Sequence, residues 1–246
     1  MTLDLVPGIA RGRILEPEVM DEAAEVKAYL GGVATAYLDR MDDTFIAAAL
    51  CGLPRLPKLS RPPRLPAQPL RALDVGTGTG SLPVKLAQRM PGLRVVGVDR
   101  SRGMLSQARA RARAADLSRR VSFKLANGRR LPFADGSFDL VVCNSVLHHI
   151  PDPAPVLDEI SRVLRRGGAC FIRDLRRPHP SVIDRHIRHH GRYYRGTMLR
   201  LFADSVRAAF TESELRRIVA RSHLGRVRRA RVRRMFETYL VIELPR

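Results

Sequence analysis

The sequence predicts an α/β fold whose core is a doubly wound, mostly parallel β-sheet. Three observations lead to this prediction. Short apolar runs alternate with helical patterns from residue 71 onwards, a glycine-rich turn follows the first run, and an acidic residue ends the second. Such alternation is typical of parallel strands with helices on both faces of the sheet. A chain of 246 residues is long enough for one such domain with appended segments.

A helical arm is predicted over residues 1–50. Apolar side chains recur there at intervals of three or four residues, as on one face of a helix. These residues are Val26, Leu30, Val33, Tyr37, Met41, Phe45 and Ala48. Two amphipathic helices broken at Gly31 and Gly32 satisfy the pattern. Residues 51–70 are rich in proline, which cannot continue a helix, and we interpret them as an extended linker that tethers the arm.

Residues 71–246 are predicted to form the main domain. Its first five strands are apolar runs with helical patterns in the gaps, at 71–75, 93–98, 121–125, 138–143 and 169–174. Thr211 and Glu214 have the spacing of a capping box, which predicts a helix over residues 212–222. Residues 226–234 and 236–244 have the pattern of two strands joined by a short turn.

Residues 178–210 form the candidate substrate lid. They leave the sheet at the carboxyl end of the fifth strand, where open α/β sheets bind ligands. The segment is rich in side chains suited to proton transfer or aromatic recognition, namely His179, His186, His189, His190, Tyr193 and Tyr194. A solvated helical hairpin explains the same pattern and is kept as the alternative.

The glycine-rich turn after the first predicted strand indicates a nucleotide site. Gly76, Gly78 and Gly80 let the backbone turn tightly and approach a ligand closely. Asp99 ends the next strand, where a carboxylate accepts hydrogen bonds from ribose hydroxyls. The GxGxG spacing differs from the GxGxxG of dinucleotide sites, and Asp74 places negative charge where a pyrophosphate would be repelled and an ammonium attracted. The turn therefore favours an adenosine ligand without a pyrophosphate.

Five segments, in this order, resemble the class I S-adenosylmethionine-dependent methyltransferases, and in particular the bacterial small-molecule group. They are residues 73–80, 96–99 with 104–105, 131–133 with 135–139, 144–150, and 162–168. The resemblance implies a seven-stranded Rossmann-like sheet with a C-terminal antiparallel hairpin. It also implies S-adenosylmethionine as the cofactor and direct displacement of its methyl group by a nucleophile of the acceptor.

The resemblance further implies which residues hold the cofactor. Asp74 would attract the methionine ammonium, Asp99 would hold the ribose, and Arg100 and Met104 would flank the adenine. Asn127 stands where the family often has aspartate, and its side-chain oxygen can still accept the adenine amino hydrogen bond. The expected cofactor-binding residues are Tyr37, Met41, Asp74, Gly76, Thr77, Gly78, Gly80, Asp99, Arg100, Met104, Asn127, Gly128 and Asn144. Core packing of Tyr37 and Met41 and a turn role for Asn144 are the alternatives.

Catalytic residues are expected beyond the fourth and fifth strands. Positioning supplies much of the acceleration, and a base is needed only when the acceptor must lose a proton. The candidate bases are His149, Asp174 and His179. The candidate substrate-binding residues are His148, Arg173, Tyr193 and Tyr194. One histidine of the adjacent pair is expected to pack in the core, and Arg173 is either a partner for an anionic group or an ordinary strand-end charge.

The formal net charge of +20 keeps an RNA methyltransferase open as an alternative function. Nine arginines lie between residues 216 and 234, and another group surrounds the second predicted helix of the domain. No RNA-binding module is recognisable, and residues 144–147 lack the Asn-Pro-Pro-Tyr-like element of several base-methylating enzymes. A small-molecule acceptor is therefore favoured over RNA, and a non-catalytic cofactor-binding protein is the third possibility.

The remaining composition predicts a cytoplasmic protein without a metal site. Cys51, Cys143 and Cys170 lack metal-ligand spacing, and we expect them to be buried, reduced thiols. No run approaches the roughly 20 apolar residues needed to span a bilayer, and the chain does not open with a secretory pattern. We therefore expect a soluble protein with no membrane partner.

Overall fold

The structure is a computed structural model that describes residues 12–17, 32–51 and 69–245. It contains a seven-stranded sheet whose strands are β1 (Leu70–Val75), β2 (Leu93–Asp99), β3 (Val121–Leu125), β4 (Phe138–Asn144), β5 (Leu164–Leu175), β6 (Arg231–Met235) and β7 (Tyr239–Glu243). The described helices are α1 (Gly32–Cys51), α2 (Ser81–Arg89), α3 (Arg102–Ala114), α4 (Ala154–Val163), α5 (Ile183–His190), α6 (Gly196–Ala208), α7 (Glu212–Arg221) and α8 (His223–Arg226). The predicted fold class is confirmed.

The strands lie in the order β3-β2-β1-β4-β5-β7-β6. The first five are parallel, β7 pairs antiparallel with β5, and β6 pairs antiparallel with β7. Because β2 lies on one side of β1 and β4 lies on the other, the connections diverge at the carboxyl end of β1. In open α/β sheets such a switch point leaves a crevice that binds ligands.

Successive side chains of a strand point to opposite faces of the sheet, and each face here has its own apolar core. On one face, Leu73 and Val141 pack with residues of α4, α7 and α8. On the other, Ala72 and Val142 pack with residues of α1, α2 and α3. The near-continuous burial of β1 and β4 is the pattern expected of parallel strands covered on both sides.

Helix α1 is part of the second core, which differs from the expectation of an arm held only by a linker. Phe45 and Ile46 are fully buried, and Phe45 makes an edge-to-face contact with Phe171 of β5. Phe45 and Ala48 of the predicted apolar stripe thus face this core. The first of the two predicted arm helices and most of the proline-rich segment, residues 52–68, lie outside the described residues.

Several predicted boundaries and one burial prediction differ from the structure. Strand β5 begins earlier than predicted, at Leu164, and its pairing with β4 shifts register near Phe138. The first strand of the terminal hairpin begins later, because residues His223–Arg226 form α8. The capping box that starts α7 is present as predicted. Cys143 and Cys170 are buried free thiols, but Cys51 is exposed because it ends α1.

The lid segment folds into helices α5 and α6 with short 3-10 turns at Pro180–Val182 and Gly191–Tyr193. Its inner side packs against β-sheet residues and α1 through clusters that include Tyr194, Met198 and Val206. It is therefore more than a solvated hairpin. Among the described helices, none is long and apolar enough to cross a membrane.

Candidate active site

A cavity of about 280 Å³ lies at the carboxyl ends of β1, β2, β4 and β5. One end is formed by the glycine turn and the loops after β2 and β3. The other end is formed by the loop after β4, by α1 and by the lid helices. The sequence-predicted site residues in its wall are Tyr37, Gly76, Thr77, Gly78, Asp99, Arg100, Met104, Asn127, Gly128, Asn144, His148, His149 and Tyr194.

The glycine turn is held in shape by backbone bonds and by left-handed backbone angles. The backbone N–H groups of Gly76 and Thr77 both donate to the carbonyl oxygen of Val98, at 2.9 Å. Gly76, Gly78 and Gly80 have φ values of 73°, 52° and 76°, a region that favours glycine. A Cβ on Gly76 would overlap Val146, whereas one on Gly78 would meet nothing within 4 Å. The turn thus packs on one side and opens to the cavity on the other.

Two carboxylates accept hydrogen bonds from residues of this turn. Asp99 accepts hydrogen bonds from the backbone N–H of Gly78 at 2.8 Å and of Ser101 at 2.9 Å. Asp74 is buried behind the wall, where its Oδ2 accepts a hydrogen bond from the Thr77 hydroxyl at 2.7 Å. Its Oδ1 has no hydrogen-bond partner among the described residues. Burial raises the pKa of Asp74 to about 7, the Thr77 bond lowers it, and the charges of Asp42 and Asp99 add to the rise.

Beyond Asp99, the cavity wall includes Met104, Asn127 and Gly128. Met104 is buried at the first turn of α3, which Ser101 caps by accepting the Met104 N–H. Asn127 is exposed, and its Oδ1 accepts a hydrogen bond from the Arg129 N–H at 3.0 Å, so the side chain orders its own loop. Gly128 packs close to Val75.

Arg173 does not face the cavity, which corrects its expected role as a partner for an anionic substrate. Its guanidinium donates to Asn144 Oδ1 at 3.0 Å, to Thr44 Oγ1 at 2.9 Å and to the Met41 carbonyl at 3.0 Å. It also lies over the rings of Phe45 and Tyr239. The side chain is 1% exposed, and burial lowers its pKa. Arg173 therefore fastens α1 to the sheet.

The same contacts involve two of the expected cofactor-binding residues. The Asn144 side chain contributes to the cavity wall, and its oxygen accepts a hydrogen bond from Arg173 while its nitrogen lies 3.5 Å from Asp42 Oδ1. Met41 lies outside the cavity wall, and its carbonyl accepts a hydrogen bond from Arg173.

Asp174 is buried and positions the loop after β4 rather than facing the cavity. Its Oδ2 accepts the backbone N–H groups of Val146, Leu147 and His148 at 3.2, 2.5 and 3.3 Å. Its Oδ1 lies 2.5 Å from Nδ1 of His148. Burial would raise the pKa of Asp174, but the neighbouring His148 holds it below its usual value. Because all these contacts saturate the carboxylate, Asp174 orients His148 instead of serving as a free base.

His148 and His149 lie in the cavity wall, in the loop after β4. Burial acts to lower the pKa of His148, but Asp174 outweighs it and raises that pKa. Burial and the adjacent His148 lower the pKa of His149 to about 3, so its imidazole is neutral at ordinary pH. The rings lie 4.3 Å apart between centroids. His148 was expected to bind substrate and His149 to act as a base, and both line the cavity.

Two other predicted residues lie away from the cavity. His179 is exposed, and its Nδ1 lies 2.8 Å from the Ser181 hydroxyl, where it caps a 3-10 turn. Tyr193 is 38% exposed and stacks on Tyr37 at 5.0 Å between centroids. Tyr194 is 4% exposed and contacts the edge of the Tyr37 ring. The helical arm and the lid therefore meet through these tyrosines, and Tyr37 and Tyr194 form part of the wall.

Sequence analysis missed the segment Gly12–Pro17, which reaches this end of the cavity. Arg13 donates to the carbonyls of Ala208, Pro151 and His148 at 2.6, 3.2 and 2.7 Å. These bonds place the Glu16 carboxylate 3.3 Å from His148 Nε2 and 3.2 Å from His149 Nδ1. No periodicity or motif marks Glu16, so the sequence held no signal for it. Ser205 and His190, on the lid, also line the cavity, and of these only His190 was singled out.

Comparisons with known proteins find methyltransferases with similar sequences. Residues 73–172 match the family described as methyltransferase domain. The chain is 43% identical over 105 residues to methyltransferase GfsG of Streptomyces halstedii, which covers 43% of this chain and 37% of that protein. It is 38% identical over 110 residues to 27-O-demethylrifamycin SV methyltransferase of Amycolatopsis mediterranei, covering 43% and 40%. It is 41% identical over 104 residues to demethylmenaquinone methyltransferase of Thermus thermophilus, covering 42% and 46%. The matches thus span less than half the length of these relatives.

Solved structures share the fold over a longer part of the chain. The plantazolicin methyltransferase BpumL, in complex with a pentazolic desmethylPZN analog and SAH, is 14% identical with a TM-score of 0.63, covering 92% of both chains. A SAM-dependent methyltransferase from Aquifex aeolicus is 18% identical with a TM-score of 0.54, covering 72% of this chain and 82% of that one. At these identities the similarity establishes the fold alone.

Proposed function

We propose that the protein methylates a small-molecule acceptor with S-adenosylmethionine, from the premise that residues 73–172 match a methyltransferase domain. The observation that carries the proposal is a single cavity that joins the glycine turn to the histidine pair. One end has the features of a cofactor site, and the other is enclosed by aromatic and apolar lid residues. A small molecule placed there would reach the cofactor's methyl group.

The residues of the first end fit S-adenosylmethionine. A buried carboxylate oxygen of Asp74 without a hydrogen-bond partner suits a nearby ammonium group. Gly78 leaves open space beside the turn for close approach of a ligand. Asp99 lies in the wall at the end of β2, where its carboxylate would accept hydrogen bonds from ribose hydroxyls. Met104 would contact the adenine.

The residues of the second end would orient the acceptor and handle its proton. When bound, S-adenosylmethionine supplies an electrophilic methyl group on a sulfonium that leaves as a neutral thioether. Asp174 holds the Nδ1 side of His148, so Nε2, which lies 3.3 Å from Glu16 Oε1, is the ring atom that would take or share an acceptor proton. Tyr37, Tyr194 and the lid helices would exclude water from the acceptor. Because alignment replaces a bimolecular encounter, positioning supplies much of the rate.

Two features favour a hydrophobic or aromatic acceptor. The acceptor end contains Tyr194, Met198 and Phe202 of the lid segment, which offer apolar contact area. Asp174, the carboxylate that contacts His148, is saturated by that ring and by backbone N–H groups. Acceptors resembling the demethylated rifamycin and demethylmenaquinone of the relatives' names are therefore suitable first probes.

The test measures cofactor binding and turnover separately. Titration calorimetry with S-adenosylhomocysteine is expected to give one site, and Asp99→Ala should weaken it by tenfold to a hundredfold, as expected for loss of a charge-assisted hydrogen bond of about 1.5–3 kcal/mol. Asp116→Asn, an exposed carboxylate change at the end of α3, is the matched control and should bind normally. Unchanged affinity in Asp99→Ala contradicts the ribose assignment.

Turnover is measured as methyl transfer from labelled S-adenosylmethionine to a panel of phenols, quinols and hydroxylated polyketides. His148→Gln is expected to lose turnover while cofactor affinity stays within about threefold, because the histidine lies at the acceptor end. Cofactor binding without transfer to any acceptor would instead support the non-catalytic alternative. Methyl transfer to RNA would support the RNA alternative.

A further inference from the structure

The buried cluster of Glu16, His148 and His149 has the composition and spacing of a metal site. One ligand atom from each residue lies within 4.8 Å of the others. Glu16 Oε1 lies 3.3 Å from His148 Nε2 and 3.2 Å from His149 Nδ1. Ligands of a tetrahedral Zn²⁺ ion at about 2.0–2.1 Å stand about 3.3 Å from one another, so these separations match two edges of such a site.

The carboxylate of Glu16 supplies a second, independent observation. Its side chain is 7% exposed, and its Oε1 has no hydrogen-bond partner among the described residues, although two ring nitrogens lie close to it. Its other oxygen, Oε2, is 3.3 Å from the Ser205 hydroxyl. A buried carboxylate oxygen that faces two imidazoles without a hydrogen bond is a group that a bound cation would satisfy.

The surroundings already hold two of the three ligands in place. Asp174 Oδ1 engages His148 Nδ1, which is the carboxylate–histidine arrangement that fixes the ring of a metal-ligating histidine and leaves Nε2 for the ion. Arg13 fixes the segment that carries Glu16 through its bonds to backbone carbonyls. His149 Nδ1 also lies 3.3 Å from the Pro17 carbonyl, a long contact that a metal bond would replace.

We propose that Glu16, His148 and His149 bind a divalent transition-metal ion of the Zn²⁺ type, with a fourth position open to the cavity. Two imidazoles and one carboxylate favour Zn²⁺ or Co²⁺ over Mg²⁺ and Ca²⁺, which prefer oxygen ligands. The open position follows from the histidines, because both line the cavity. An oxygen atom of an acceptor would complete the coordination there.

The inference goes beyond the proposed function and is independent of it. A metal ion and a proton cannot both occupy His148 Nε2, so the metal-bound protein would orient an acceptor through the ion, whereas the metal-free protein would use the imidazole itself. Glu16 belongs to a segment before the methyltransferase domain and to none of its motifs. Binding is tested without cofactor or acceptor.

The experiment titrates chelator-treated, untagged protein with Zn²⁺ by calorimetry and with Co²⁺ by visible absorption. One ion per chain is expected, and Co²⁺ should give the intense visible bands of a four-coordinate site. Glu16→Gln and His149→Asn should each weaken binding at least tenfold, while Mg²⁺ and Ca²⁺ should give no signal. The matched controls are Glu237→Gln and His223→Gln, which change exposed residues outside the cluster and should bind as the parent does.

Three results would overturn the inference: no stoichiometric binding, equal binding by Glu16→Gln and the parent, or equal losses in the two control variants. Thermal unfolding of each variant shows whether a loss of binding is a loss of fold, and Glu16→Asp provides a second variant that keeps the charge and shortens the reach. S-adenosylhomocysteine binding to the same samples distinguishes the two proposals. A protein that binds the cofactor but no metal refutes the metal site alone, and the reverse refutes the cofactor site alone.

Discussion

At the scale of single residues, the glycines of the turn after β1 serve two different purposes. Gly76 is confined by packing, because a Cβ there would overlap Val146. Gly78 has open space on its Cβ side and is confined only by its backbone angle, with φ of 52°. The motif alone treats these glycines as equivalent. The structure separates a packing requirement from a conformational one.

Gly76→Ala is accordingly expected to destabilise the protein more than Gly78→Ala. Both variants place a Cβ in the left-handed region, at a cost of about 1–2 kcal/mol. Gly76→Ala adds overpacking against Val146, at about 1–3 kcal/mol. Urea unfolding checks the difference, and the two variants serve as controls for each other. Equal unfolding free energies would contradict the packing role of Gly76.

Asp74 is the residue through which pH should control cofactor binding. Its folded-state pKa is raised to about 7, mainly by burial, so it is largely protonated below that pH and ionised above it. A cofactor ammonium favours the ionised form. Affinity should therefore rise by on the order of tenfold between about pH 5.5 and about pH 7.5.

Calorimetry with S-adenosylhomocysteine at several pH values measures this dependence. Asp74→Asn is the control, because it keeps the hydrogen-bond acceptor for Thr77 but cannot ionise. The variant should bind more weakly at the upper pH and show a flatter profile. A parent profile that falls with pH, or one that the variant reproduces, would refute the role of Asp74.

At the scale of elements, one buried arginine of β5 connects helix α1 to the sheet. Arg173 donates to Thr44 and to the Met41 carbonyl on α1, and it holds Asn144 at the end of β4. Its guanidinium also lies over Phe45. An element that appears in the sequence as an appended arm is thus joined to the centre of the sheet. This joint explains how α1 forms a wall of the cavity.

Arg173→Met should loosen α1 selectively. The change leaves buried acceptors without donors, at a cost of about 1–3 kcal/mol each. We expect faster amide hydrogen exchange in residues 41–51 and weaker global stability. Arg162→Met is the matched control, because Arg162 also donates to backbone carbonyls, at Leu131 and Phe133, but belongs to α4 on the opposite face of the sheet from α1. Equal exchange in α1 for both variants would contradict the anchoring role.

At the scale of the whole molecule, the net charge of +20 coexists with arginines that serve the fold. Several guanidinium groups donate to backbone carbonyls within the structure. They are those of Arg13, Arg120, Arg162, Arg173, Arg177 and Arg228. Part of the arginine excess therefore satisfies backbone acceptors. A net charge of this size favours non-specific attraction of polyanions.

We expect RNA to bind only in this non-specific way. Affinity should fall steeply with salt, as counterion release requires, and S-adenosylhomocysteine should not change it. Filter binding at several salt concentrations checks the slope, and heparin is the control polyanion. RNA that binds tightly at high salt, or that becomes methylated, would overturn the small-molecule proposal.

The sequence by itself determined the fold class, the order of the strands along the chain and the glycine turn that lines the cavity. These features are local: the turn angles of Gly76 and Gly78, the strand-end position of Asp99 and the capping box of α7 depend on neighbours in the chain. A motif can therefore record them. Strand ends and the bounds of β5 and β6 were less accurate, because pairing and register set them.

Only the tertiary structure decided which side chains contact His148 and His149 and what each of them does. Arg173 and Asp174 are strand-end charges in the sequence, and nothing in their spacing says that one anchors α1 while the other orients His148. Glu16 reaches the histidines across 132 positions of the chain because Arg13 bonds to backbone carbonyls on distant elements. Side-chain roles that depend on such long-range contacts are fixed by the packing of whole elements, which leaves no periodic signal in the sequence.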